Sequence, residues 1–276
     1  MRKVILFLFL LSIPVFSQSS LLLLYQNKKA AAGGGGGGSL PTDQLYANWD
    51  FADVSKITFR DGTTNQVLSV KSLVGISPDM DLRSTTATSY GNIYDPIYNP
   101  GDKSITFPAL ASDSHGFWAG TVYGLLTTPF TIILVNLNPD TNNTTDWVFQ
   151  LNPSCTGLRY DAPQKKYLTV YGSYSSPWHD LTWCTKAVIQ NAKTLVYYDR
   201  DVDGNCSIFI NNQLGLGTSV ASMGVYPYQF TFGQSNQISV PISGAKAYQL
   251  IIYNKILSTA ERTQLLNYLN SKWNIW

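Results

Sequence analysis

What most constrains this chain is its punctuation: short runs rich in β-branched and aromatic residues recur between clusters of Gly, Pro, Asn and Asp. Such side chains suit a pleated, half-buried surface, and the residues between them are those that tight turns require. The pattern is that of an antiparallel β-sandwich. Ten runs read as strands: Lys56 to Arg60, Lys103 to Phe107, Phe130 to Leu137, Trp147 to Leu151, Tyr167 to Tyr171, Thr185 to Gln190, Thr194 to Asp199, Ser207 to Asn211, Gln229 to Phe232 and Ala245 to Tyr253. Phe130 to Leu137 is nearly all apolar, which predicts a central strand covered on both faces. Thr194 to Asp199 and Ser207 to Asn211 flank a short Asp-Gly loop and read as a hairpin. One helix is clear, near the C-terminus. Ser258 caps it, Glu261 three residues on completes a capping box, and Leu265, Leu269 and Trp273 recur every four residues as an apolar stripe facing the sandwich.

A chain of 276 residues with 44% hydrophobic content can bury one large core, so a single domain is expected over residues 40–276. Ala30 to Gly38 reads AAAGGGGGG, with no side chains to bury, and residues 18–39 are expected to be a flexible linker. Ahead of it, Arg2-Lys3, the apolar stretch Val4 to Phe16 and the site Val15-Phe16-Ser17 make a secretory signal over residues 1–17. The alternative is an uncleaved anchor reaching residue 25, since Leu21 to Leu24 resume the apolar run. The signal reading places the domain outside the cell, secreted or at an extracellular surface, whereas the anchor reading ties it to a membrane, with positive charge on both flanks giving little help on orientation. Membrane contact is then confined to the N-terminal segment. The net charge of +2 includes Arg2 and Lys3, so the remainder is balanced and carries no basic footprint for nucleic acid.

The C-terminal third resembles the concanavalin A-like lectin/glucanase superfamily, in particular its laminin-G-like branch. The likeness is in the order of features: Phe232-Gly233 ends one strand, a Gly244 turn leads into Ala247 to Tyr253, and the segment Tyr253 to Glu261 is similar to the family's closing YNRxLSxxE, followed by Tyr268 to Trp273 for YLxxKW. Asn211-Asn212 stands where the family has an Asn-Gly turn. The resemblance implies an all-β, concanavalin A-like jelly-roll sandwich with a short C-terminal helix. Folds of this type host enzymes, lectins and structural modules alike, so function has to be argued from sites.

Glucanases of that superfamily need a pair of catalytic carboxylates, usually two Glu on one strand. This chain has a single Glu, Glu261, already assigned to the helix cap, and no Asp-x-Asp strand motif replaces the pair. The two His, His115 and His179, lie in loop-like stretches without a nucleophile elbow. An enzyme is therefore not expected. Asp199-Arg200-Asp201-Val202-Asp203-Gly204 has carboxylates two apart and Gly in sixth place, as a calcium loop would, with Asp199, Asp201 and Asp203 as ligands. Ile210 stands at the twelfth position, which excludes an EF-hand and leaves another Ca²⁺ geometry or a plain hairpin. No cofactor is otherwise required. Cys155, Cys184 and Cys206 allow one disulfide in any of three pairings, or three buried thiols.

Tyr171, Tyr174, Trp178, His179 and Asp180 concentrate aromatics among small polar residues, the composition with which sugars are stacked and hydrogen-bonded. Trp178 and the nearby Trp183 have the rival role of filling the core. Together these features favour a non-catalytic surface module that binds a glycan or a surface protein. A structural role at the surface of a virus particle or cell envelope is the alternative, and a glycoside hydrolase the remote one.

Overall fold

The computed structural model describes residues 38–60, 65–74, 81–84, 96–107, 116–122, 129–138, 145–152, 156–171, 179–219, 228–233 and 244–276. The signal or anchor reading, and the linker up to residue 37, lie outside them. The described residues form a sandwich of two antiparallel sheets. One sheet runs β15 (Gln213–Ser219), β14 (Asn205–Ile210), β13 (Lys193–Arg200), β8 (Phe130–Leu137), β17 (Lys246–Tyr253), β6 (Ser104–Thr106) and β5 (Ile97–Asn99), while β1 (Leu45–Asp50) shares the edge of β17 with β6. The other runs β12 (His179–Ala187), β11 (Lys166–Tyr171), β10 (Thr156–Asp161), β9 (Thr145–Asn152), β16 (Tyr228–Phe232), β7 (Phe117–Val122), β4 (Leu82–Ser84), β3 (Val67–Val70) and β2 (Ile57–Phe59).

The apolar run at Phe130 is the central strand β8, between β13 and β17, and it is buried from Phe130 to Asn136. Its side chains alternate between two cores, as the period of two requires. Phe130, Ile132 and Leu134 enter the core between the sheets, whereas Ile133 and Val135 face the other way, into a core closed by helix α1 (Thr259–Trp273). The inter-sheet core is rich in aromatic pairs: Trp49 stacks near Phe230, Phe51 near Phe232, and Phe149 meets Tyr198 edge-on with ring centres 5.4 Å apart. Helix α1 has the capping box expected, and Leu265, Leu269 and Trp273 are buried along with Leu266. The Asn-Asn turn between β14 and β15 has φ of 46° at Asn211 and 64° at Asn212. Two successive left-handed residues match the twist of a tight hairpin, and Asn tolerates that conformation.

The two sheets are tied together at both sides. On one side Gln66 bridges to Ile97, and the Val67 N–H donates to the Pro96 carbonyl at 2.8 Å, joining the sheets through β3 and β5. On the other, the Thr185 hydroxyl donates to the Gly215 carbonyl at 2.8 Å, tying β12 to β15. The Cys184 thiol lies directly under Gly215, so a Cβ there would fall deep inside van der Waals contact with the sulfur. Gly215→Ala is expected to destabilise the protein by about 1–3 kcal/mol in urea unfolding. In a Cys184→Ala background most of that loss should disappear. An equal loss in both backgrounds would show that the sulfur contact is not the cause.

Candidate functional site

Strand register brings the sequence-flagged segments to one end of the sandwich. In the nine-stranded sheet, Leu151 pairs with Thr156 and Tyr171 with His179, so the β9–β10 and β11–β12 connections leave from the same end. In the facing sheet, Arg200 pairs with both Cys206 and Phe130, and the interior links this end of β13 to β11 through Tyr198 beside Thr169. The ends of β11 and β13 thus stand opposite each other on different sheets. His179 and Asp180 begin β12 and Tyr171 ends β11, where sequence reading placed His179 in a loop. Tyr174 and Trp178 fall in the connection at 172–178, outside the described residues, as does His115.

The acidic residues of the Asp-rich loop are turned apart. Asp199 is buried on β13 and accepts the Ser207 N–H at 3.1 Å across the hairpin. Asp201 closes the turn itself: its Oδ1 accepts the Asp203 and Asn205 N–H groups at 2.9 and 2.8 Å, and its Oδ2 accepts the Asn205 side-chain amide at 2.8 Å. Asp203 projects into solvent. The three carboxylates therefore never converge, and no cluster of acidic, His and Cys residues able to hold a metal exists among the described residues. The physical reason is local: Asp199 is drawn into the strand and Asp201 is turned onto the N–H groups of its own turn, so the side chains are held apart.

Their electrostatics separate them further. Burial pushes the Asp199 carboxyl above the ordinary carboxylate range despite the bonds from Ser207. For Asp201 desolvation also pushes upward, but the bonds from Asn205 and the turn N–H groups together outweigh it and hold the carboxyl below that range.

Cys184 and Cys206 are free, buried thiols on different strands, which overturns a disulfide involving either of them. Cys155 lies outside the described residues. Burial drives both thiols upward, Cys206 to about 11, so they remain protonated small hydrophobes.

Trp183 belongs to neither main core. Its strand neighbour Cys184 and, on β11, Tyr167 point between the sheets, whereas Trp183 and Leu168 pair across the outer face of the nine-stranded sheet. Leu168 is fully buried there and Trp183 packs on it half-buried. Arg159 stands next in register on β10. On the same face Thr231 and Gln150 pair across β16 and β9 and are buried. Sequence reading set Trp183 aside as core and missed the others. The available signal was alternation, because Gln150 and Thr231 each sit between two inward-facing apolar residues.

The sole glutamate is committed to structure. Its Oε1 pairs with Lys255 at 2.6 Å and its Oε2 accepts the Ser258 N–H at 3.0 Å, and these bonds outweigh partial burial to hold the carboxyl below its usual range.

No family model and no curated relative matches the sequence. Among solved structures the chain is similar to Trypanosoma rangeli sialidase in complex with sialic acid, at 14% identity and a TM-score of 0.61, covering 92% of this chain and 39% of that one. It is also similar to the binding domain of botulinum neurotoxin DC in complex with rat synaptotagmin II, at 13% identity and a TM-score of 0.54, covering 82% and 52%. A third likeness is to botulinum neurotoxin type C, which interacts with two ganglioside molecules, at 14% identity and a TM-score of 0.52, covering 74% and 51%. The chain thus spans between about two fifths and half of these solved chains. At such identities the likeness establishes the β-sandwich fold alone.

Two outcomes follow for the Asp-rich hairpin. Millimolar calcium is expected to leave the melting temperature unchanged, and a rise abolished by Asp201→Asn would restore the metal site. The raised Asp199 value means that this group favours the folded state when protonated. That contribution is present below the ordinary Asp value of about 3.9 and is lost as pH rises through the folded-state value. At pH 7 Asp199→Asn keeps an oxygen for Ser207 and removes a buried charge. Its melting temperature should equal or exceed the parent's, and a clear drop would show that the carboxylate itself is needed.

Proposed function

We propose that this protein is a non-catalytic glycan-recognition module of the concanavalin A-like, laminin-G-like kind, displayed outside the cell. The observation that carries the reading is Trp183, a large aromatic held partly exposed against Leu168 outside both main cores. Its strand continues from the connection containing Tyr174 and Trp178. An aromatic face with polar groups beside it is the chemistry by which sugars are bound: their C–H faces pack on the ring and their hydroxyls find directed hydrogen bonds.

Two further points support it. The solved structures of similar fold include a sialidase holding sialic acid and a toxin that interacts with gangliosides. Retaining glucanases usually place two Glu on one strand, and the single Glu of this chain is engaged by Lys255 and Ser258. Binding without turnover is therefore the reading that this chain's chemistry supports.

The test is a glycan panel probed with the protein and with Trp183→Ala. The parent should bind at least one glycan class saturably and without cleaving it. The variant should lose about tenfold or more in affinity, equivalent to about 1.4 kcal/mol, while its melting temperature moves only a few degrees. Unchanged binding by a folded Trp183→Ala protein would remove Trp183 from the site. Silence of the parent across the panel would turn the assignment to a structural component of a particle or envelope surface.

A further inference from the structure

Strand register gathers three connections at one corner of the sandwich. Asp161 pairs with Lys166 across the β10–β11 turn, and Lys166 also pairs with Ala187, so β12 ends beside that turn. In the facing sheet Val196 pairs with Ile210 and Ile210 with Gln213, which puts the β14–β15 turn and the start of β13 together. The bond from Thr185 to Gly215 joins the two sheets there. The chain enters from the other end, because Leu45 begins β1 opposite Tyr253, which pairs with Thr131 at the start of β8. Strand β13, with eight residues, separates the two ends by about 25 Å.

The backbone of this corner is fixed, yet it leaves apolar side chains in water. The Val188 N–H donates to the Lys165 carbonyl at 2.7 Å, the Asn191 N–H to the Asn138 carbonyl at 2.9 Å, and the Leu195 N–H to the Asn211 side-chain oxygen at 2.8 Å. Between these anchors Ile189 is 75% exposed, more than any other large hydrophobic residue among those described, and Leu214 near the start of β15 is 58% exposed. The charge around them has one sign. Segments 162–166, 186–193 and 211–216 contain Lys165, Lys166, Lys186 and Lys193 and no Asp or Glu. Lys193 is turned onto the Trp273 carbonyl, whereas Lys165 and Lys186 are exposed and Lys166 partly so. The Lys186 Cβ lies over Gly215, the residue after Leu214. Asp161, at the foot of the β10–β11 turn, is buried and accepts the Gln164 N–H at 3.0 Å. The β8–β9 connection at 139–144, outside the described residues, adds Asp140 alone.

We propose that this corner docks on an anionic phospholipid surface, with Ile189 and Leu214 entering the boundary between headgroups and acyl chains and Lys165, Lys166 and Lys186 meeting the phosphates. Charge complementarity selects an acidic partner, and the apolar pair selects a bilayer among acidic partners. An Ile exposed to this degree projects from the surface instead of lining a groove that a protein segment would fill. Lysines suit the same boundary, since their aliphatic stems lie along apolar surface while their ammonium groups stay with the headgroups. Because the corner lies at the end opposite the chain's entry, the sandwich presents it away from the N-terminal segment. None of these residues belongs to the face around Trp183, so neither reading depends on the other.

The full protein is sedimented with phosphatidylcholine vesicles and with vesicles in which about three lipids in ten are phosphatidylserine, in about 0.1 M salt. The N-terminal apolar segment is common to every arm, so the reading lies in the difference between vesicles and between variants. Binding should be about tenfold tighter or more on the anionic vesicles. On those vesicles Ile189→Ser should lose about tenfold and Lys186→Gln about fivefold, both with the melting temperature of the parent because both side chains are exposed. Leu214→Ser is the second apolar variant, in case the first folds poorly. Amide exchange across residues 186–192 should slow with anionic vesicles and not with neutral ones, a local response that neither the N-terminal segment nor Trp183 supplies. The proposal is overturned if the parent does not prefer the anionic vesicles or if exchange in that segment is unchanged. It is also overturned if a folded Ile189→Ser protein keeps the full preference, the result expected of lysines that serve only an acidic protein or glycan.

Discussion

Strands β8 and β17 are buried on both faces, and the rest of the architecture follows from keeping both faces dry. The inner face is covered by the nine-stranded sheet, but the outer face has only α1, so the helix has to be fixed in place. Trp273 does this with its ring against Tyr248 and its indole N–H donating to Gln249 Oε1 at 2.9 Å. Lys272 pairs with Asp50, and Lys193 donates to the Trp273 carbonyl at 3.0 Å, meeting the negative end of the helix dipole. The first described residues complete the cover. Leu40 packs into the helix core, Tyr253 donates to the Pro41 carbonyl at 2.9 Å, and Lys255 bridges Asp43 to Glu261. The start of the sandwich and its last helix are thus one packed layer, which is why both belong to the same domain.

The elements legible in the sequence were those where local chemistry and burial agree. Phe130 to Leu137 was readable because two-sided burial leaves an apolar run that no half-exposed strand would have. The capping box at Ser258 was readable because its geometry is set within four residues. Each of the ten expected strands is present, although β12 begins at His179, six residues before the expected start. Seven strands escaped notice, for identifiable reasons. β15 reads QLGLGTS and β7 reads FWAGTV, with Gly weakening the strand signal, while β4 and β5 are only three residues long and owe their form to their neighbours. Gly215 is in a strand because nothing larger fits over Cys184, a fact held by residues far apart in sequence.

The site was less legible than the fold because its clues are matters of orientation. Asp199, Asp201 and Asp203 match a metal-loop spacing, but one is drawn into a strand, one closes its own turn and one is solvated. Spacing alone cannot distinguish a carboxylate that offers its oxygens from one that has spent them on backbone N–H groups. Trp183 shows the converse. A Trp in a strand is more often core than ligand platform, and only the parity of Tyr167, Leu168, Trp183 and Cys184 shows that it faces outward.

Hydrogen bonds tie the two sheets together at both sides, from Gln66 to Ile97 on one and from the Thr185 hydroxyl to the Gly215 carbonyl on the other. The helix layer occupies one broad face. Strand β12 carries Trp183, partly exposed, on the outer side of the nine-stranded sheet, and it begins with His179 at the end of the sheet where β9 and β11 stop. A ligand reaching from that side to that end would touch side chains placed by strand register and by connection sequence together. The rigid sandwich would supply position, and the connections would supply the variation on which specificity depends.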